Sequence, residues 1–146
     1  MIAPQEKDRI LGIDFGTVRI GIAITDPLCM FAYPLTTLKN DSKLWSKLKD
    51  IKREYSVKEV VLGYPLKENG EISESTLAVE KFKNQLEDKL KVTVHLMDER
   101  YSSEMAKERI LETTISKKKR RDKSLIDQHA AAIILEDYLT ELKNGK

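Results

Sequence analysis

ILGIDFGT, from Ile10 to Thr17, is the stretch of sequence that decides the fold. Its apolar start predicts a buried strand over Arg9 to Phe15, and a glycine turn leads into a second strand over Val18 to Thr25. The connection is too short for a crossover helix, so we expect the two strands to be antiparallel neighbours.

Asp14 places a charge at the end of the first of these strands. By strand alternation it shares a face with Ile10 and Gly12, where an unpaired carboxylate would be strongly destabilising. A bound cation would compensate for this charge. An Asx-type turn, in which Asp14 accepts hydrogen bonds from the amides of Gly16 and Thr17, is the alternative. This stretch alone leaves both open.

The composition predicts one soluble domain over residues 1–146, because 40% of the residues are hydrophobic. The net charge of +2 is too small to indicate a partner. Cys29 is the only cysteine, which excludes an internal disulfide and a cysteine-based zinc cluster. No apolar run approaches the ~20 residues that span a bilayer, and Met1 to Asp8 lacks the features of a signal peptide. We therefore expect a cytoplasmic protein.

The remaining chain changes from hairpins to alternating helices and strands. Met30 to Leu38 predicts a third strand, and Pro34 suits an edge position or a bulge there. The further predicted elements are a helix capped near Asn40 to Ser42, the strand Val57 to Tyr64, a helix capped by Ser73 or Ser75, the strand Val92 to Met97, a helix capped by Ser102 or Ser103, and a last helix from Ser124. This order predicts an α/β fold with a mixed sheet and helices on its faces.

Asp14, Glu99 and Asp127 are the candidate site. Asp14 and Glu99 follow predicted strands, at the carboxyl ends where open sheets place their sites. Asp127, in the first turn of the last helix, lies on the stripe that also carries Ala131, Ile134, Tyr138 and Leu142, so it faces the sheet. Carboxylates within ~4 Å repel by about 4 kcal/mol per pair at an effective dielectric of 20. A hard divalent cation would remove that repulsion, and two such ions could promote phosphodiester hydrolysis.

Each acid also has a structural alternative. Asp127 could be stabilised by the helix macrodipole, and Glu99 could pair with Arg100 or a nearby lysine. His95 is predicted to be a packed, hydrogen-bonded histidine, and His129 points about 200° around the helix from Asp127. Neither histidine is therefore included in the site. Trp45 and Phe82 lie at helical core spacing, so no aromatic platform for bases is predicted.

A basic run precedes the last helix, inside a predicted mobile loop over residues 113–123. Residues 1–8 and 143–146 are predicted to be frayed. The run fits a nucleic-acid backbone, with a solvated loop as the alternative. Its candidate contacts are Lys117, Lys118, Lys119, Arg120 and Arg121.

The sequence resembles the YqgF-type family, whose members are assigned to pre-16S ribosomal RNA cleavage or Holliday junction resolution. The resemblance covers nearly the whole chain through four ordered blocks: ILGIDFGTVRIGIAITD, VVLGYPLKENG, DERYSS and DQHAAAIILEDYL. It implies an RNase H-like fold with a five-stranded sheet in the order 3-2-1-4-5 and helices on both faces. It also implies that Asp14, Glu99 and Asp127 are catalytic and bind metal, with Arg19 and Arg100 in phosphate-binding or structural roles.

The sequence departs from the family pattern at a few positions. Asn69 replaces an aspartate that is frequent in the family, and His129 replaces a small or apolar residue. Related resolvases often have a fourth acid one turn before the position of Asp127, where this chain has Ser124. The resemblance therefore leaves one or two metal ions open.

The sequence-based hypothesis is an endonuclease that uses Mg²⁺ or Mn²⁺ and matures pre-16S ribosomal RNA. A Holliday junction resolvase and a catalytically inert nucleic-acid-binding module are the alternatives. A sugar-kinase or actin-like ATPase is a further class, because DFGT resembles its phosphate-binding turn, but those proteins need two lobes. A monomer and a homodimer both remain open. Leu135 and Leu139 are a weak candidate dimer face, and core packing is the preferred explanation of them.

Overall fold

The computed structural model describes residues 8–67, 69–99, 102–113 and 122–145. The elements in chain order are β1 Arg9–Asp14, β2 Arg19–Thr25, β3 Ala32–Lys39, α1 Leu44–Tyr55, β4 Val57–Tyr64, α2 Glu74–Leu90, β5 Thr93–Asp98, α3 Ser102–Thr113 and α4 Lys123–Lys143. Every strand and helix predicted from the sequence is present. None of the helices in these ranges is long and apolar enough to cross a bilayer.

The five strands form one mixed sheet in the order β3-β2-β1-β4-β5, which confirms the predicted order. β2 is antiparallel to β1 and β3, whereas β4 is parallel to β1 and β5. Pro34 lies in the edge strand β3, beside an irregularity in the β2–β3 register. The carboxyl ends of β1, β4 and β5 therefore meet at one edge of the sheet.

Helices cover both faces of the sheet, as the α/β prediction requires. Alternate residues of each strand pack against the helices on opposite faces. Leu11 and Leu62 belong to the core beneath α1 and α2. Ile10, Ala23 and Val61 belong to the core beneath α4, and α3 packs on the outer side of α4. Asp14 shares the face of Ile10, so its side chain lies on the side of the sheet that α4 covers.

Glycines allow α4 to lie close to the sheet. A Cβ on Gly21 would overlap the backbone carbonyl of Asp127. A Cβ on Gly12 would lie 2.8 Å from the Ala131 carbonyl oxygen and 2.9 Å from the Leu135 Cβ. Because real Cβ atoms do not approach this closely, these strand positions need glycine, and the packing fixes the height of Asp127 above the sheet.

Several predicted details of α4 differ from the structure. The helix begins at Lys123, and the Asp122 side chain accepts the cap hydrogen bond from the Ser124 amide. Asp127 therefore lies beyond the first turn, where the macrodipole effect is weak. Leu142 is 48% exposed, because the last turn of α4 runs past the buried core. Leu139 is buried, so the prediction that its side of α4 packs in the core is confirmed.

The boundaries of other predicted segments also change. Ser102 and Ser103 lie inside α3 and not in front of it, so neither occupies the cap position. Thr113 and Lys123, which were predicted to belong to the basic loop, belong to α3 and α4. Residues 1–7, 114–121 and 146, which include most of the predicted loop and frayed ends, lie outside the described residues.

Candidate active site

The structure brings Asp14 and Glu99 together at the carboxyl edge of the sheet. Asp14 is the last residue of β1. Glu99 follows β5, and its amide donates a hydrogen bond to the carbonyl oxygen of Tyr64 at the end of β4, 3.4 Å away. The two acids thus reach across β4, and their carboxyl groups are hydrogen-bonded to each other.

Gly63 in β4 makes room for this pair. A Cβ at position 63 would lie 2.6 Å from the Glu99 Cδ and 2.8 Å from the Ile134 Cδ1. A larger residue would therefore displace the Glu99 carboxyl group or α4. The absence of a side chain at Gly63 leaves room for the Glu99 carboxyl group over the sheet. The adjacent strand β1 places Asp14 next to this carboxyl group.

Burial and mutual repulsion change the acidity of both groups. Burial, the Asp14 charge, the hydrogen bond to Asp14 and the Asp98 charge, in decreasing order, together raise the pKa of Glu99 to about 10. Burial also raises the pKa of Asp14 to about 6, together with the charge of Asp127, while the hydrogen bond from Glu99 opposes this rise. The shared proton is therefore on Glu99, whose carboxyl group donates to the Asp14 carboxylate.

Asp127 approaches the pair from α4, close enough for its charge to raise the pKa of Asp14. Its own carboxylate is held by Arg19, whose Nε donates to Oδ2 over 2.8 Å. Arg19 is the first residue of β2, directly after the turn that follows Asp14. The three predicted acids thus come from β1, the end of β5 and α4 and lie at one edge of the sheet.

The donor set fits a hard divalent cation in its chemistry, because Asp14 and Glu99 offer carboxyl oxygens, the ligands that such cations prefer. Within the described ranges, no three acidic, histidine or cysteine side chains stand close enough together to form a ready-made metal cluster. The Asp14 and Glu99 carboxyl groups are hydrogen-bonded to each other, and Arg19 holds the Asp127 carboxylate. Both would have to change before all three acids could bind one ion.

The two histidines lie outside this group. His95 Nε2 is 3.0 Å from Glu59 Oε1, and its ring stacks on Tyr138, which confirms the prediction of a packed, hydrogen-bonded histidine. His129 is near Arg109, and burial together with the charge of Arg109 lowers its pKa. Its Nδ1 atom is buried without a hydrogen-bond partner among the described residues. Neither side chain joins the three acids.

The basic residues of the candidate site lie outside the described residues, apart from Arg19. Arg100 falls between β5 and α3, and the basic run from Lys117 to Arg121 falls between α3 and α4. Their assignment to a nucleic-acid backbone therefore remains a prediction.

Phe15 is a candidate binding residue that the sequence-based reasoning missed. It follows Asp14 and, with Thr17, Pro65 and Val79, lines a cavity of about 220 Å³ that is also bordered by Glu99. Phe82 is buried as predicted, whereas Trp45 is only half-buried. The sequence signal that could have identified Phe15 is an aromatic residue directly after the acid. The same signal predicts a buried core residue equally well.

A mixed sheet in the order 3-2-1-4-5, with α4 across one face and acids at its carboxyl edge, is an RNase H-like fold. The chain belongs to the RuvX family, because the model of that family, described as Holliday junction resolvase, matches residues 8–141.

Relatives and a solved structure resemble the chain over most of its length. A protein of Flavobacterium psychrophilum, provisionally named a pre-16S rRNA nuclease, is 40% identical over 136 residues, which cover 90% of this chain and 96% of the relative. A protein of Salinibacter ruber with the same provisional name is 39% identical, with coverages of 92% and 94%. The Thermus thermophilus RuvC chain solved with a Holliday junction substrate has a TM-score of 0.59 at 14% identity and covers 92% of this chain and 96% of its own. That last similarity concerns the fold alone.

Proposed function

We propose that this protein is a divalent-metal-dependent endonuclease that hydrolyses phosphodiester bonds during maturation of pre-16S ribosomal RNA. The observation that carries the proposal is the partly buried carboxyl pair of Asp14 and Glu99, with Asp127 beside it. Such a cluster of partly buried carboxyl groups destabilises the fold and is expected where a cation binds. The names of the relatives support RNA as the substrate, and the family description supports nuclease chemistry.

One or two Mg²⁺ or Mn²⁺ ions would be held by Asp14, Glu99 and Asp127. When bound, such ions lower the pKa of a coordinated water and stabilise the leaving oxygen of a phosphodiester. The side chains prepare for this in two ways. Glu99 would give up its proton so that both carboxylates could act as ligands, and Asp127 would bind the ion in place of its contact with Arg19.

Arginine and lysine side chains would bind the RNA backbone. With Asp127 bound to a metal ion, the Arg19 guanidinium would be available beside the acids to donate to a phosphate oxygen. Arg100 follows Glu99 directly in the chain, so it would act at the same edge. The run from Lys117 to Arg121 would bind the strand farther away and make the affinity dependent on salt.

The test is cleavage of two labelled substrates, a precursor 16S ribosomal RNA fragment and a four-way DNA junction, with Mg²⁺, with Mn²⁺ and with EDTA. We expect the RNA to be cut only with metal, and Asp14→Asn to abolish cutting because it removes a buried ligand charge. Asp88→Asn is the matched control, because Asp88 is an exposed aspartate on α2 with only a 4.0 Å contact to Lys91. Equal cleavage by Asp14→Asn would contradict the proposed site.

A Holliday junction resolvase is the second candidate, because the matching family model carries that description. Symmetric metal-dependent cutting of the junction, with the RNA left intact, would select it, and a homodimer would then be required to cut both strands. RNA binding by the folded protein without cleavage of either substrate would instead identify an inert binding module.

A further inference from the structure

A cleft runs away from the acidic site between the β1–β2 turn and helix α2. It consists of two adjoining cavities of about 220 and 280 Å³, and Phe15 and Ala78 line both of them. Glu99 borders the first cavity. Together the cavities fall within the ~300 to 1,000 Å³ that is usual for small-molecule sites. The cleft is therefore large enough for a substrate group and continuous with the acids.

The walls of the cleft are held in place on both sides. The Asn40 side chain donates to the carbonyl oxygen of Gly16 over 3.0 Å, which fixes the β1–β2 turn. On the other side, Ser73 caps α2, and the Thr76 hydroxyl donates to the carbonyl oxygen of Pro65. These bonds join the start of α2 to the end of β4, so the cleft is preorganised.

The lining has the groups that recognise a nucleobase. Phe15 and Trp45 supply aromatic surface, and the buried ring of Phe82 supports both, with centroid distances of 4.6 and 5.4 Å. The amides of Asn40 and Gln85 supply hydrogen-bond donors and acceptors, which match the mixed edges of a base. Aromatic contact with a base is worth about 1 to 3 kcal/mol and tolerates any sequence.

Positive charge lies at the outer end of the cleft. Lys81 lines the second cavity, and the Nζ of Lys89 lies 4.6 Å from the centre of the Trp45 ring. A nucleotide seated with its base in the cleft would thus meet cations beyond the base. At the opposite end it would meet Glu99 and, with it, the proposed metal site. This arrangement suits a phosphodiester strand that crosses the acids.

We propose that this cleft binds an unpaired nucleobase of the RNA strand, next to the phosphodiester at the acidic site. The proposal rests on the proposed function for the identity of the strand, and it adds a substrate subsite to it. It predicts that the protein acts on single-stranded segments, because a paired base could not leave its helix without loss of stacking and pairing.

Trp45 provides a direct test, because it is the only tryptophan of the chain and it lines the cleft. The full-length protein is titrated in EDTA with a single-stranded RNA 12-mer and with a 12-mer in which every base is missing. Trp45 emission reports the cleft, and anisotropy of labelled RNA reports total binding. We expect the RNA alone to quench the emission, and the abasic strand to bind about tenfold more weakly.

Variants of α2 provide the matched comparison. Ala78→Phe adds a ring to the wall that the two cavities share, whereas Leu77→Phe adds a ring at a neighbouring exposed position. We expect about a tenfold loss of RNA affinity in the first variant and no change in the second. Lys81→Ala, with the exposed Lys49→Ala as its control, tests the outer end of the cleft and requires no added volume.

Two results would overturn the cleft proposal. One is equal affinity for the complete and the abasic strands. The other is unchanged Trp45 emission when anisotropy is saturated or when RNA reaches ~1 mM, above the usual range of non-specific affinities. Because these measurements are made without metal, they are independent of cleavage. Metal-dependent cleavage with an unresponsive Trp45 would reject only the cleft, whereas a quenched Trp45 without cleavage would reject only the nuclease.

Discussion

Glu99 binds a proton more tightly in the folded protein than in the unfolded chain. Its pKa rises from 4.5 to about 10, chiefly through burial and secondly through the charge of Asp14. Between these values the folded state binds more protons than the unfolded state, so the free energy of unfolding falls as the pH rises. Without metal, the site therefore destabilises the protein at neutral and alkaline pH.

Glu99→Gln should stabilise the metal-free protein at pH 8. The amide can donate to the Asp14 carboxylate without a titratable proton, and we expect a gain of about 1 to 3 kcal/mol in the free energy of unfolding. At pH 5, close to the ordinary pKa of 4.5, protonating Glu99 on folding costs little, so most of the gain should disappear. Urea unfolding in EDTA at both pH values measures this. Exposed Glu54→Gln on α1 is the control, and a loss of stability in Glu99→Gln at pH 8 would contradict the prediction.

Arg19 is expected to matter more for activity than for stability. Its ion pair with Asp127 is partly exposed, with side-chain exposures of 38% and 23%, so Arg19→Met should change the free energy of unfolding by less than about 1 kcal/mol. RNA cleavage should nevertheless fall at least about tenfold, because the guanidinium proposed to bind phosphate is lost. Arg53→Met is the control, because it breaks an exposed pair with Asp50 on α1. Unchanged cleavage in Arg19→Met would leave this arginine with a purely structural role.

At the scale of single residues, the positions of the acids could be predicted from the sequence, whereas the side chains that contact them could not. The face of Asp14 follows from strand alternation with Ile10, which needs only local sequence. The bond between Arg19 and Asp127 joins residues that are 108 positions apart, so it depends on the docking of α4. The proton shared with Glu99 likewise depends on distance and burial, which a sequence does not contain.

The packing of α4 against glycines is the feature that links elements to the site. Gly21 faces the backbone of Asp127, whereas Gly63 faces the movable end of the Glu99 side chain and the Ile134 methyl group. A methyl group added at position 21 must therefore displace α4. A methyl group added at position 63 can be accommodated by rotation of the Glu99 side chain.

Gly21→Ala should therefore cost more stability than Gly63→Ala. We expect a loss of about 1 to 3 kcal/mol for Gly21→Ala, in the range of overpacked cores, and a smaller loss for Gly63→Ala. Both should lose nuclease activity, because each displaces a proposed ligand. Thermal unfolding and cleavage of the same preparations separate the two effects. Full activity of Gly63→Ala would show that the Glu99 carboxyl position is not critical.

The elements were predictable where the hydrophobic period is long and uninterrupted. Val79, Phe82, Leu86 and Leu90 form the buried stripe of α2 as their spacing indicates. The ends were less predictable. Asp122 caps α4 from inside a basic run, where the charge pattern hides a cap signal. Leu142 continues the stripe in sequence but lies past the end of the core.

At the scale of the whole molecule, the basic run from Lys117 to Arg121 is expected to control salt dependence. Changing all five residues to glutamine alters the formal net charge from +2 to −3. For single-stranded RNA, each lost phosphate contact should reduce the salt slope of binding by ~0.7. Anisotropy titrations across a range of salt concentrations measure this slope.

A charge-matched control separates position from net charge. It replaces five basic residues on and after α1 with glutamine: Lys47, Lys49, Lys52, Arg53 and Lys58. We expect the slope of this variant to remain near that of the wild type. Equal slopes for both variants would show that the basic run acts only through the net charge of the protein.

The fold as a whole could be predicted because its sequence blocks are ordered and closely spaced, from ILGIDFGT to the last helix. The cleft beside the acids could not, since its wall combines Phe15 from the β1–β2 turn, Trp45 from α1 and Ala78 from α2. Each of these residues also satisfies an ordinary core pattern. Only the assembled molecule shows that they border open space.

Because the third acid, Asp127, lies in α4, the order in which the chain is translated affects the site. Until residues 123–143 leave the ribosome, the sheet face that contains Ile10, Ala23 and Val61 has no cover, and Asp127 is absent from the edge that holds Asp14. The nascent chain can thus pair its strands but has an incomplete candidate site. A protein proposed to cut ribosomal RNA therefore gains its complete set of acids only after residues 123–143 have been translated.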